Sequence, residues 1–283
     1  MRAISTVHFF FVTLLTTQSC TAPCNGDVAL CGRSVRNVVF PSTHNANAAE
    51  EYGYSTFNAN QSAGIATQLE DGIRGLLLDV TYYQDETTLC HGLCDLGSTP
   101  HVDTLRILKD FMNEHPREVI VLLYQDSISV DDLENDFAES ELIDLVHSQT
   151  GDDWPTLETM IRANRRLVVT TEVAKGPPDW IHHLWDVAWD TPYSFTDTED
   201  FRCELNRGES THPLYLMNHW LGTQYGLPSK EKAAVANGFE TLHARALDCW
   251  QQSGQIPNFV AVDWYRTGDL FEVVQTLNDA AGE

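Results

Sequence analysis

Positive charge is scarce in this chain. Its 17 lysines and arginines face 41 aspartates and glutamates, and the formal net charge is -24. Such a balance offers no electrostatic footprint for nucleic acid and works against passive adhesion to an anionic membrane. Long apolar runs are also missing. The run near the start, His8 to Leu15, is too short to cross a bilayer, and no later segment does better. Arg2, that short apolar core and the small residues Cys20-Thr21-Ala22 follow the order of a secretory signal peptide. Residues 1–22 therefore read as a leader and 23–283 as one mature domain. The final residues, Leu277 to Glu283, lack the apolar tail of a GPI signal. Internal repeats and low-complexity tracts are absent too.

Cysteine is sparse, but its count is informative. Cys20 leaves with the leader, and Cys24, Cys31, Cys90, Cys94, Cys203 and Cys249 remain. An even number in an exported chain predicts disulfides. Proximity favours Cys24–Cys31, Cys90–Cys94 and Cys203–Cys249. The spacings are not tidy C-x-x-C pairs, so zinc is the weaker reading. Asn60-Gln61-Ser62 is the one N-glycosylation sequon, and it predicts a surface loop with a glycan on Asn60 if the export route is eukaryotic.

Short β-type runs alternate with helical patterns. Strands are expected at 38–40, 73–83, 87–91, 118–124, 165–172, 214–217 and 258–264, with a doubtful eighth around Val187 in the ambiguous stretch from Trp180 to Trp189. Helices are expected at 67–71, 101–115, 130–149, 156–163, 230–252 and 269–280. The natural closure is α/β: a distorted (β/α)8 TIM-type barrel in a single domain. Chemistry in such barrels sits at the C-terminal ends of the strands. Here those ends carry His44-Asn45, Asp79, His91, Gln125-Asp126, Glu172, Asn218-His219 and Asp263. So many polar groups after apolar runs do not read as core packing. Two imidazoles and a carboxylate at one end of a sheet suit acid/base cleavage of a phosphodiester, one imidazole taking a proton and the other giving one.

The segments Thr43-His44-Asn45, Asn60-Gln61, Asp71-Gly72-Ile73-Arg74-Gly75, Leu78-Asp79, Leu89-Cys90-His91 and Pro257 to Asp263 resemble the X domain of phosphatidylinositol-specific phospholipase C, and above all its secreted, X-domain-only branch. The resemblance implies that His44 is the general base on a substrate hydroxyl, that His91 protonates the leaving oxygen, and that Asp263 orients His44. It implies an inositol phosphodiester or phospholipid as substrate, a cyclic phosphodiester as product, and transient contact with a membrane surface.

The chain departs from the family's two ways of offsetting phosphate charge. It has no arginine two residues after Asp79, and Leu77 stands where the calcium-binding branch has glutamate. Asn45 and Asp79 match two oxygen ligands of that branch, so calcium is the expected cofactor if there is one. Gln125 or Asp126 would add a ligand, and Glu172 would line the head-group pocket. Arg74, inside a strand segment, suits a structural salt bridge better than a phosphate contact. Two rival readings stay open: a glycerophosphodiester-type phosphodiesterase, and a secreted binding protein on the same barrel without activity.

Overall fold

The computed structural model describes residues 22–173 and 176–282, so the leader and Cys20 lie outside the described residues. The side chain of Asp126 lies outside them as well. Ten strands form one sheet: β1 Phe40–Thr43, β2 Gly75–Tyr83, β3 Glu86–Leu89, β4 Thr99–Pro100, β5 Ile120–Asp126, β6 Leu167–Thr171, β7 Ile181–His183, β8 Ala188–Asp190, β9 Leu214–His219 and β10 Phe259–Val262. Eight helices pack around it: α1 Ile65–Asp71, α2 His101–Glu114, α3 Val130–Glu139, α4 Leu157–Ala163, α5 Leu184–Val187, α6 Lys230–Ala236, α7 Phe239–Ser253 and α8 Leu270–Ala281.

Eight of the strands run parallel in the order β7-β6-β5-β2-β1-β10-β9-β8. This is a curled α/β barrel sheet, as the sequence predicts. Its faces separate by the two-residue period of a strand. Phe40, Val121, Leu123, Val168, Leu216, Phe259 and Ala261 meet in the barrel interior. Leu76, Leu122, Val169, Met217 and Val260 point outward, beneath the helices. Gly75 permits the close passage of β1 and β2, since a Cβ there would lie 2.1 Å from Ser42 Oγ.

Five expectations need correcting. The helix expected at 130–149 ends at Glu139, and a short 3-10 turn, Leu142–Leu145, follows it. The run at 87–91 is not a barrel stave. It forms β3, an antiparallel hairpin partner of β2. The ambiguous stretch around Val187 supplies the missing staves instead, as two three-residue strands, β7 and β8, joined by α5. The first strand begins at Phe40, where it was expected to end, and so contains Pro41. The proline is tolerated because β2 starts opposite Ser42, which leaves no ladder acceptor for the hydrogen it lacks. The long helix expected at 230–252 breaks at Asn237-Gly238, because Asn237 turns aside to donate from Nδ2 to the Asp263 carbonyl at 2.7 Å and to accept from Asp269 N at 2.9 Å. Arg74 is structural, with Nε 2.7 Å from Glu118.

Disulfides join Cys24 to Cys31, Cys90 to Cys94 and Cys203 to Cys249. The second closes the loop that carries His91, and Cys90 N anchors that loop to the Asp79 carbonyl at 3.2 Å.

Candidate active site

The strand period that fills the interior also builds the mouth. On seven of the eight staves, the next inward position after the last apolar interior residue is polar. Phe40 and Ser42 on β1 lead to His44, Leu77 on β2 to Asp79, and Leu123 on β5 to Gln125. Val168 on β6 leads to Glu172 by way of Thr170, Ala188 on β8 to Asp190, Leu216 on β9 to Asn218, and Ala261 on β10 to Asp263. His44, Asn45, Asp79, Gln125, Glu172 and Asn218 line one cavity at the mouth. His44, His91, Asn60 and Asp263 line a second cavity beside it, which shares Tyr193 and Trp220 with the first.

His44 is held on two sides. Its Nδ1 lies 2.9 Å from Asp263 Oδ1, which can only accept, so the ring hydrogen sits on Nδ1 and the Nε2 lone pair is left facing the cavity. One face of the ring stacks on Trp220 at 3.7 Å between centroids. His91 is oriented by Nδ1, 3.3 Å from the Asn58 carbonyl. The Nε2 atoms of His44 and His91 each lie 3.2 Å from the same terminal atom of the Asn45 amide. The two Nε2 atoms therefore converge on a single atom.

The Asn45 amide has two settings. With its nitrogen toward Asn60 Oδ1, at 3.2 Å, its oxygen faces the Asp79 carboxylate. Turned over, its nitrogen donates to Asp79 at 3.2 and 3.3 Å, and its oxygen meets both imidazoles. The second setting satisfies the amide against Asp79 without any added group, and only the first would present the amide oxygen to a cation beside that carboxylate. Burial pushes the Asp79 carboxyl above the usual carboxylate range, while His91 and His44 pull it back. A carboxylate and an amide oxygen are hard donors that suit calcium. They are two of the about six to eight oxygens calcium takes, so water and substrate would complete the shell. Leu77 also lines this cavity, where it offers no ligand atom.

The far wall holds groups that the sequence reading did not single out. Arg207 bonds Asp190 through Nη2 at 2.6 Å and Glu172 through Nη1 at 3.0 Å. Burial works against its charge, but the Asp190 and Glu172 carboxylates outweigh it and hold the guanidinium above its ordinary range. Arg207 is therefore spoken for by two acids and does not replace the missing family arginine. Asp190 would have been found by alternation from Ala188, had the strand at 188–190 been recognised. His219 is not a site residue. It points outward, fully buried, with Nε2 2.9 Å from the Ala236 carbonyl.

Asn60 is also corrected. It does not stand on a surface loop: it is 1 % exposed, and its Nδ2 donates to Asp263 Oδ1 at 3.0 Å. No glycan fits on that nitrogen in this fold.

Among solved structures, the fold is similar to the phosphatidylinositol-specific phospholipase C from Listeria monocytogenes, with a TM-score of 0.60 over 88% of this chain and 94% of that one at 13% identity. It is similar to a mutant of the corresponding Staphylococcus aureus protein at a TM-score of 0.58, over 88% and 95% of the two chains, with 12% identity. At those identities the likeness is one of fold. Among curated relatives, an uncharacterized secreted protein of Arthroderma benhamiae is 29% identical over 92% of this chain and 64% of its own length. A PI-PLC X domain-containing protein 1 of the same fungus is 28% identical over 90% and 89%. The family model described as PI-PLC X 1 matches residues 30–278, and the chain belongs to the PI-PLC X-domain family.

Proposed function

We propose that this chain is an extracellular, phospholipase C-like phosphodiesterase that cleaves an inositol phosphodiester by attack of a neighbouring hydroxyl. One observation carries the reading: His44 Nε2 and His91 Nε2 converge at 3.2 Å on one Asn45 atom. His44 Nε2 takes the hydroxyl proton as that oxygen bonds to phosphorus. The phosphorus–oxygen bond to the leaving alcohol breaks, and His91 gives its Nε2 proton to that alcohol. Asp263 fixes the His44 tautomer and stabilises the imidazolium that forms. The cyclic phosphodiester is the product.

Asn45 and Asp79 would hold a calcium ion, with Gln125 and Glu172 on the same cavity wall. When bound, the ion would offset phosphate charge in a pocket whose one arginine is already paired. Export accords with the three disulfides and with the name of the secreted Arthroderma relative. Passing contact with a lipid surface accords with Phe57, Leu93, Leu96 and Tyr225, which stand 73%, 69%, 52% and 79% exposed. The net charge disfavours anionic lipid.

The test is release of inositol phosphate from phosphatidylinositol in detergent micelles by the mature protein, with calcium and with chelator. Cyclic inositol phosphate that vanishes in both His44→Ala and His91→Ala establishes the mechanism, and the chelator arm decides the role of Asp79. Absence of turnover in every arm would favour a binding protein on the same barrel, a reading that Leu77 supports.

A further inference from the structure

The ladder between β1 and β10 ends at the pair Thr43 and Val262. His44 N donates to the Val262 carbonyl at 3.0 Å, the last bond of that ladder, and no rung pairs the next residues, His44 and Asp263, with each other. Both chains then turn sharply. Asn45 and Trp264 have φ of 45° and 44°, a left-handed conformation that side chains other than glycine rarely adopt. Asn237 Nδ2 holds the Asp263 carbonyl at 2.7 Å, and further bonds from outside the sheet hold the side chains of the dyad and both turns.

The dipeptide Asn60-Gln61 lies across this gap. Gln61 Nε2 donates to the His44 carbonyl at 2.8 Å and to the Val262 carbonyl at 2.9 Å, and Gln61 Oε1 accepts from Tyr265 N at 3.2 Å. The Asn60 carbonyl accepts from Trp264 N at 2.7 Å, and Asn60 N donates to the Ala48 carbonyl at 2.8 Å. Asn60 Nδ2 donates to Asp263 Oδ1 at 3.0 Å, the same oxygen that His44 Nδ1 meets at 2.9 Å. Asn60 and Gln61 are 1% and 0% exposed. Two donors on one carboxylate oxygen fix the rotation of the Asp263 side chain, and a staple on both backbones fixes where the imidazole stands.

We infer that Asn60 and Gln61 are positioning residues that carry the strand pairing one step past the sheet and hold His44 against Asp263. The inference rests on the proposed roles of that pair. Neither residue touches the reacting atoms in this reading. Their contribution is to keep the Nδ1 to Oδ1 contact short while Nε2 works, and a misplacement of about 1 Å at such a site costs about a hundredfold.

The test uses the mature protein and two readouts. The first needs no substrate: the hydrogen-bonded imidazole N–H proton of His44, identified in the proton NMR spectrum by its loss in His44→Ala. It should be sharp in the parent and broadened by exchange in Asn60→Ala, with near-ultraviolet circular dichroism unchanged. The second is turnover of phosphatidylinositol micelles. Asn60→Ala should lower kcat by about 10- to 100-fold with KM unchanged, and the same change made in Asp263→Asn should cost less than about twofold, because the residue acts through that carboxylate. If Asn60→Ala does not fold, Asn60→Ser carries the same measurements. A folded variant with a sharp resonance and parental kcat overturns the inference, and so do losses that simply add in the double variant. If the parent cleaves no phosphatidylinositol, the functional reading fails on its own and the resonance still decides the positioning role.

Discussion

His44 and Trp220 lie face to face, with ring centroids 3.7 Å apart and planes 4° from parallel. The stack leaves Nε2 as the working edge of the imidazole and places the indole on the wall between the two cavities. An aromatic contact of this kind is worth about 1 kcal/mol beyond burial. Trp220→Ala should therefore lower kcat on phosphatidylinositol micelles by about fivefold, and Trp220→Phe should restore most of it. Equal losses in both variants would mean that the stacked ring face is not what His44 needs from Trp220.

Asp263 makes the sharpest test of the dyad. Asp263→Asn keeps the shape but no longer forces the hydrogen onto Nδ1. A fall in kcat of about 10²- to 10⁴-fold is expected, with a thermal unfolding midpoint close to the parent. A change confined to KM would show that Asp263 serves binding instead.

His219 should set part of the acid limit of stability. Burial, with Arg245 beside it, pushes its pKa down to about 3, against the pull of the Ala236 carbonyl. The folded imidazole therefore stays neutral, while in the unfolded chain it titrates near its ordinary value of about 6.5. Its contribution is complete above about pH 6.5 and is lost by about 1.4 kcal/mol per pH unit as the pH falls toward 3. Urea unfolding at pH 7 and pH 5 should show a loss about 2 kcal/mol smaller in His219→Gln than in the parent. Parallel losses in the two proteins would contradict this account.

Asn60 should carry no glycan when the protein is secreted from a eukaryotic host, since its amide is buried against Asp263. Peptide mass mapping of the active fraction reads this directly. Ser62→Ala, which abolishes the sequon, should keep kcat within about twofold of the parent. A glycan found on Asn60 in active protein would refute the structure around the dyad.

The Cys203–Cys249 bridge spans 46 residues, among them the loop that brings Arg207 to the cavity. Replacing both cysteines by alanine should cost about 4 kcal/mol of stability by the loop-entropy model. Denaturant midpoints would measure it. A loss under about 1 kcal/mol would indicate that the unfolded chain is already compact there.

Much of the barrel is legible in the sequence because apolar runs followed by a polar residue recur at the staves. Leu76 to Asp79, Ile120 to Gln125 and Phe259 to Asp263 could be placed from pattern alone. The staves at 181–183 and 188–190 could not. Three residues are too few to show a period, and the tryptophans around them suit strand and helix alike. The hairpin strand at 86–89 reads as a stave in the sequence because an isolated β-run does not reveal the direction of its partner.

The sequence by itself determined the fold class, the cysteine pairs, and His44, His91, Asp79 and Asp263 as the groups of interest. The apolar runs and the residue chemistry are carried locally by the chain, and the resemblance to the family singled out His44, His91 and Asp263 among the polar strand ends. The tertiary structure alone decided that Arg207 is neutralised by Asp190 and Glu172, that Trp220 covers His44, and that Asn60 faces Asp263. Asn60 and Asp263 are 203 residues apart in the chain. A contact over that distance is set by how the sheet curls, and no local preference encodes it.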